Sequence, residues 1–323
     1  MTSALSATLM AAGRGHALAG AWARAEGSFR AAWRADPGNK AARHALATAL
    51  LALGRYPEGF SLYALRRELP QFPQAPGLPC PEWRGEPLEG KHIVLFPEQG
   101  LGDQIQFARF VPMLAERGAE VTLFCAPALQ RLFGSLGVRV LAASGRVEFP
   151  DPDYWAFSID VPGALKLNLQ DLPGGPYLEA SARRRTNVRI GVMRRGNPRH
   201  ANDANRSMPP AVRLPFEAIS LAPADTGARD LRDTAELIAG LDLVVSVDTA
   251  VAHLAGALGK RTFLMLPAVG CDWRWLSGRS DSPWYESMTL FRFEPSGGWD
   301  ALVARVGAAI ESSREQSGPA RGG

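Results

Sequence analysis

The sequence predicts an α/β protein in which two doubly wound parallel-sheet domains follow a short α-helical region. Three observations predict it. From about residue 91 onward, apolar runs of strand length alternate with helix-length stretches, as in parallel sheets covered by helices on both faces. Before residue 69, alanine, leucine and arginine recur at helical spacing. The segment Leu243-Val-Val-Ser-Val-Asp-Thr249 reads as a buried strand that ends on an acid and opens a helix of small residues. At such a junction, unpaired N–H groups and the positive end of the helix dipole face outward from the carboxyl edge of the sheet.

Length and composition agree with this reading. A chain of 323 residues, 46% hydrophobic and 21% charged, exceeds one ordinary domain and can bury substantial cores. The net charge of +4 and pI near 9.2 suit an anionic ligand or membrane surface, yet the arginines are dispersed, so nucleic acid is not implied. Cys80, Cys125 and Cys271 lie far apart without metal-ligand spacing, which predicts free thiols in a reducing compartment. The start Met1-Thr-Ser-Ala-Leu-Ser6 lacks the basic, apolar character of a secretory leader, and no window nears eighteen apolar residues. A cytoplasmic protein with at most peripheral contact at the inner membrane is expected.

In chain order, the helical region 1–68 is broken at Asp36-Pro-Gly38 and Gly54-Arg-Tyr56. The stretch 41–56 looks like the body of a tetratricopeptide repeat (TPR) unit. Ala25-Glu-Gly27 is echoed by Pro57-Glu-Gly59 near that repeat's period of about 34 residues. One good unit and a fragment are visible; a collar packed on the next domain, the stump of a longer array and a plain helical hairpin all stay open. Residues 69–90, rich in proline and glycine, read as a linker. The first sheet domain, 91–187, takes strand 92–96, a tight turn at Gly100-Leu-Gly-Asp103, an amphipathic helix 104–117, strand 121–125 and helix 129–136. Strands 138–142 and 155–159 and segment 162–167 come next. The second, 188–312, takes strands 188–192, 218–221, 243–247, 262–266 and 288–293, helix 234–241 and a final helix 299–312. Residues 313–323 are expected to form a disordered tail. Two such domains in tandem set a cleft between two carboxyl edges.

Read by spacing alone, the residues at that cleft have competing roles. Asp103 stands just before a helix, where an aspartate is ordinarily a cap and the dipole would lower its pKa. Arg194 and Arg195, at a strand end facing the cleft, suit phosphate, whereas Arg206 sits in a loop where a solvated arginine is normal. His253 falls one turn after Thr249; a packed helix residue and a ligand contact are both open. Trp273, Trp275, Trp284 and Tyr285 read as core. Asp151-Pro-Asp153 lacks helper ligands, so no metal site is expected. Gly100-x-Gly102 lacks a third glycine, with Ile105 in its place, which argues against a nicotinamide cofactor; there is no phosphate-loop or nucleophile-elbow motif.

Several motifs in order resemble bacterial heptosyltransferase-like glycosyltransferases. They are Glu98-Gln-Gly-Leu-Gly-Asp-Gln-Ile-Gln-Phe-Ala-Arg109, Gly196-Asn-Pro-Arg-His200 with Asn205-Arg-Ser-Met-Pro209, and Ser246-Val-Asp-Thr-Ala-Val-Ala-His-Leu254. Pro81-Glu-Trp-Arg-Gly85, Asp272-Trp-Arg-Trp-Leu276 and Asp281-Ser-Pro-Trp-Tyr285 are similar to the TPR-bearing branch. The resemblance spans roughly residues 40–300. It implies a GT-B fold, two tandem Rossmann-like domains behind a short TPR-like region, and an inverting, metal-independent, cofactor-free hexosyl or heptosyl transfer. The sugar would move from a nucleoside-diphosphate donor to a protein or lipid-linked glycan hydroxyl. It further implies Asp103 as catalytic base, with Gly100 and Gly102 shaping its loop. Arg206, Asp248, Thr249 and His253 would bind the donor, joined by Arg195 and Asn197. Two other readings share this sequence: a non-catalytic scaffold binding protein partners through the TPR-like helices, and a sugar-nucleotide epimerase or hydrolase on the same fold. The short stretch 220–229 and Met193-Arg-Arg195, where relatives carry an aromatic, leave the donor's identity unread.

Overall fold

The computed structural model describes residues 2–145, 147–182, 189–294 and 296–316. Four helices open it: α1 (Thr2–Leu18), α2 (Trp22–Ala35), α3 (Lys40–Ala52) and α4 (Tyr56–Tyr63), after which comes a 3₁₀ turn at Ala64–Glu68. The sequence reading missed the break between α1 and α2. It falls at Gly20, whose φ of 70° is the left-handed conformation that ends helices. Asn39 caps α3 by accepting from Ala42 N–H (3.0 Å). The helices therefore form two packed pairs instead of one unit and a fragment.

The predicted linker is stitched to the first sheet. Glu82 bridges Trp155, and Trp83 is buried. Next come β1 (His92–Phe96), α5 (Leu101–Ala108), α6 (Phe110–Ala115), β2 (Glu120–Cys125), α7 (Pro127–Phe133), β3 (Arg139–Ala142), β4 (Tyr154–Phe157) and the short α8 (Val161–Ala164). All four strands are parallel, in the order β3-β2-β1-β4. The single helix expected over 104–117 is two, because Pro112 has no N–H to return to Ala108.

The second sheet is also wholly parallel, in the order β6-β5-β7-β8-β9. It is built from β5 (Ile190–Met193), α9 (Asp203–Arg206), β6 (Ile219–Ser220), α10 (Pro223–Thr226), α11 (Leu231–Ala239), β7 (Leu243–Val247), α12 (Ala250–Ala257), β8 (Thr262–Leu266), β9 (Met288–Arg292) and α13 (Gly298–Gln316). Helix α11 begins three residues before the expected 234 because Asp230 accepts from Arg232 and Asp233 N–H (3.0 and 3.1 Å). Helix α13 runs to Gln316, beyond the predicted 312, so the first residues of the expected tail are helical. Residues 317–323 lie outside the described residues.

One apolar core runs without interruption from the helical collar through the first sheet to the α11–α12 face of the second, and a smaller core lies under α13. The collar is pinned by aromatics: Tyr56 lies 6.2 Å from Trp273 and 5.8 Å from Trp284, and Phe60 lies 6.0 Å from Trp273. The four aromatics read as core, Trp273, Trp275, Trp284 and Tyr285, are all buried. Among the described residues no helix is long and apolar enough to cross a membrane.

Candidate active site

The two sheets meet through α5 and α12. A Cβ added at Gly102 would lie 2.8 Å from the His253 ring and 3.5 Å from Ala250 Cα, so glycine is what lets the helices approach. This differs from the tight-turn reading of Gly100-Leu-Gly-Asp103. Gly100 is the N-cap of α5 and Gly102 lies inside its first turn, while the sharp backbone step is at Gln99, with φ of 64°.

Between the carboxyl edges lies a cavity of about 860 Å³, ample for a nucleotide-sized ligand. Gly100, Gly102, Asp103, Arg195, Asn197, Arg206, Asp248, Thr249 and His253 all line it. It thus brings together residues separated by up to 153 positions, the distance from Gly100 to His253.

Asp103 is the third residue of α5, not a residue before it. Its Oδ2 accepts from Gly100 N–H (2.9 Å) and its Oδ1 from Arg274 Nη2 (2.5 Å). Its side chain is 23% exposed, toward the cavity. Burial pushes its carboxyl above the ordinary aspartate value, against the pull of Arg274. The lowering expected from the helix dipole is outweighed, because desolvation of a charge exceeds a first-turn dipole effect.

On the opposite wall, β7 ends at Val247, Asp248 follows it, and Thr249 caps α12 through its backbone, its hydroxyl lying 3.2 Å from Ser246 Oγ. Ala250 and Val251, in the first turn, line the cavity. Burial, together with the negative charge of Asp272, pushes Asp248 up to about 6. His253 donates or accepts at Tyr285 Oη (2.9 Å), stacks on Trp275 at 5.3 Å, and is pulled down to about 3 by burial and the charge of Arg274. It is a neutral ring at pH 7. Its Nε2 lies 3.9 Å from Asp248 Oδ1.

After β5, Arg194 donates to the carbonyls of Pro209 and Val212 (3.2 and 2.6 Å), which ties the strand end to the segment that follows α9. Arg195 and Arg199 are exposed at the cavity, and Asn197 Oδ1 accepts from Arg199 N–H (3.0 Å). Arg206 is not the solvated loop residue that spacing suggested. It ends α9 with its side chain 14% exposed and Nε 3.3 Å from Asp203 Oδ1. Sequence reasoning passed over Arg274 and Arg199. Arg274 sat inside a quoted motif between two tryptophans, and only the fold brings it against Asp103. No cluster of three or more potential metal ligands occurs among the described residues.

With this geometry established, comparison with known proteins gives consistent matches. Residues 16–65 match the tetratricopeptide repeat family, and residues 216–264 match glycosyltransferase family 9 (heptosyltransferase). The chain is 29% identical over 329 residues to Protein FlbA of Caulobacter vibrioides, covering 82% of this chain and 54% of that protein. It therefore spans about half the length of the curated relative it matches. Among solved structures, the glycosyl transferase family 9 from Veillonella parvula aligns with a TM-score of 0.46 at 12% identity, over 71% of this chain and 98% of that one. The dodecameric iron-containing heptosyltransferase TibC, in complex with ADP-D-beta-D-heptose, aligns at 0.44 and 12%, over 70% and 77%; TibC is from enterotoxigenic E. coli H10407. The chain is similar to TPR-bearing, heptosyltransferase-like glycosyltransferases, as its motifs implied.

Proposed function

We propose that this chain is an inverting glycosyltransferase that moves a sugar from a nucleoside diphosphate to a hydroxyl group, without needing a metal ion. The observation that carries the reading is the opposition of Asp103, on one wall of the cavity, to the Asp248–Thr249 mouth of α12 and the arginines after β5 on the other. In this reading the two parallel sheets are the Rossmann-like halves of a GT-B fold, with residues 91–187 facing the acceptor and 188–312 holding the donor.

Asp103 accepts the proton of the acceptor hydroxyl as its oxygen bonds to the anomeric carbon from the side opposite the diphosphate. The bond from that carbon to the diphosphate oxygen breaks, and the departing charge is met by Arg195, Arg206 and the first-turn N–H groups of α12. Asp248, Thr249 and neutral His253 offer acceptors and donors to sugar hydroxyls, and Asn197 holds the loop that presents the arginines. The acceptor is a polypeptide or a lipid-linked glycan. The collar favours a polypeptide, since Leu18 O at the end of α1 accepts from Gly270 N–H (3.3 Å) on the cavity rim.

Thermal denaturation with ADP, GDP, UDP and CDP, and with their sugars, tests the reading. A nucleotide present at about 100 times its dissociation constant stabilises by roughly 2.7 kcal/mol. One nucleotide should raise the midpoint in the native protein and leave Asp248→Ala unmoved. A flat panel would sink the donor site and favour the scaffold reading.

A further inference from the structure

All three guanidinium nitrogens of Arg274 are engaged by the protein itself. Nε donates to Gln106 Oε1 (2.5 Å), Nη1 to both oxygens of Asp272 (3.0 and 3.1 Å), and Nη2 to Asp103 Oδ1 (2.5 Å). The guanidinium carbon lies 4.5 Å from the Trp273 ring centroid, and the side chain is 5% exposed. Its charge is already matched by two carboxylates. That separates it from Arg195 and Arg199, which are exposed at the cavity and free to meet an anionic ligand.

The turn that carries Arg274 is held from several sides. Trp273 points into the collar against Tyr56 and Phe60, and Trp275 stacks on His253. The chain leaves through Leu276 at φ 48°, a left-handed conformation that costs a non-glycine residue about 1–3 kcal/mol. Arg292 Nη2 donates to the carbonyls of Trp275 and Leu276 (2.8 and 2.9 Å), which secures that conformation. Such strain persists only where the surroundings over-determine it, and it concentrates at working sites.

We propose that Arg274 is a positioning residue for the base, crossing from the second half of the molecule to hold the Asp103 carboxylate ionised and in a fixed plane. The proposal rests on Asp103 acting as the base of the transfer. A carboxyl largely withdrawn from water and left alone drifts toward its neutral form, which cannot take a proton. Arg274 on one oxygen and Gly100 N–H on the other oppose that drift while leaving the cavity side of the group open. The other charged or titratable groups around the pair include Asp272, Asp248, Arg206, His200 and neutral His253 from the second half, and Tyr56 and Tyr63 from the collar. Among the described residues, Arg274 is the cation in contact with Asp103.

Carbodiimide coupling of an amine, read at Asp103 by peptide mass spectrometry on the full chain between pH 4 and 8, tracks the protonated fraction of that carboxyl. In Arg274→Gln the half-labelling pH should rise by about 1–3 pH units, the amount by which a contacting opposite charge holds a carboxyl down. It should return toward the native value in Arg274→Lys. An unmoved midpoint in folded Arg274→Gln overturns the proposal. Asp272→Asn is a conservative change at a side chain 37% exposed, and it gives a second reading that does not depend on the first variant folding. With the competing anion removed, the Asp103 midpoint should fall; an unmoved midpoint overturns the shared pairing. The labelling reports Asp103 itself, so its outcome is separate from that of the nucleotide panel.

Discussion

His253 shows how packing sets the charge of a side chain at the cavity wall. Burial, helped by the positive charge of Arg274, keeps its ring neutral down to about pH 3, so it packs against Trp275 and the Tyr285 hydroxyl without placing a second positive charge near Arg274. A group whose folded pKa is depressed in this way contributes stability above its unfolded value, near 6.5, and loses it progressively as pH falls toward the folded value. Between pH 7 and 5 this one ring should cost about 2 kcal/mol. Asp248, raised to about 6, acts in the opposite sense: its charged form is disfavoured in the fold, so stability falls as pH rises from about 4 to 6. Chemical denaturation of the native chain and His253→Gln at pH 7 and pH 5 separates the two, because the variant keeps only the Asp248 contribution. Equal pH dependence in both proteins would contradict the assigned burial of a neutral ring.

At the level of elements, the 3₁₀ turn after α4 and the loop after β1 are tied by a buried ion triad. Arg66 Nε donates to Glu98 Oε1 (2.8 Å), its Nη2 pairs with Glu98 Oε2, and its Nη1 donates to Asp160 Oδ1 (2.5 Å). Beside it, Gln99 Nε2 donates to Tyr63 Oη (2.7 Å). Glu98 and Gln99 lead directly into Gly100, the cap that holds Asp103, so the collar's last turn fixes the backbone from which the candidate base projects. Removing one partner of a buried ion cluster leaves uncompensated charge and costs about 3–5 kcal/mol. Arg66→Met should lose that much in urea unfolding at pH 7, and a loss below about 1 kcal/mol would mean water reaches the carboxylates. Replacing all three members with apolar residues should recover most of the stability.

Across the molecule as a whole, the collar is not a detachable module. Its buried face, from Ala42 to Tyr63, shares one apolar core with the first sheet and with Trp273 and Trp284 from the far end of the chain. Few repeats can stand alone, and here the missing neighbours are supplied by the sheet domains. A chain beginning at residue 69 should therefore aggregate or lack the near-ultraviolet circular dichroism of its packed tryptophans. The full chain should lose far- and near-ultraviolet signals in one coincident transition. A soluble truncated chain with native near-ultraviolet signal would restore the picture of an independent interaction domain.

The class of the longer segments was legible from sequence alone. Helical periodicity before residue 69, apolar strand runs after 91 and the acid at the end of β7 could all be read, because they are local patterns that hydrophobic burial and capping impose on neighbouring residues. The resemblance to TPR and heptosyltransferase-like proteins was borne out by the family matches. Boundaries set by a single residue were less legible: the break before Pro112, the start of α11 at its Asp230 cap, and the length of α13. The surroundings of Asp103 were fixed by packing in three dimensions. Its sequence neighbours made it a cap under a helix dipole, whereas the fold brings Arg274 from 171 positions away and buries the carboxyl against it. The approach of α5 to α12 through Gly102, which closes the cavity, was likewise invisible until both helices were placed. Electrostatic environment depends on distance in space and on exclusion of water, and neither is written in sequence spacing.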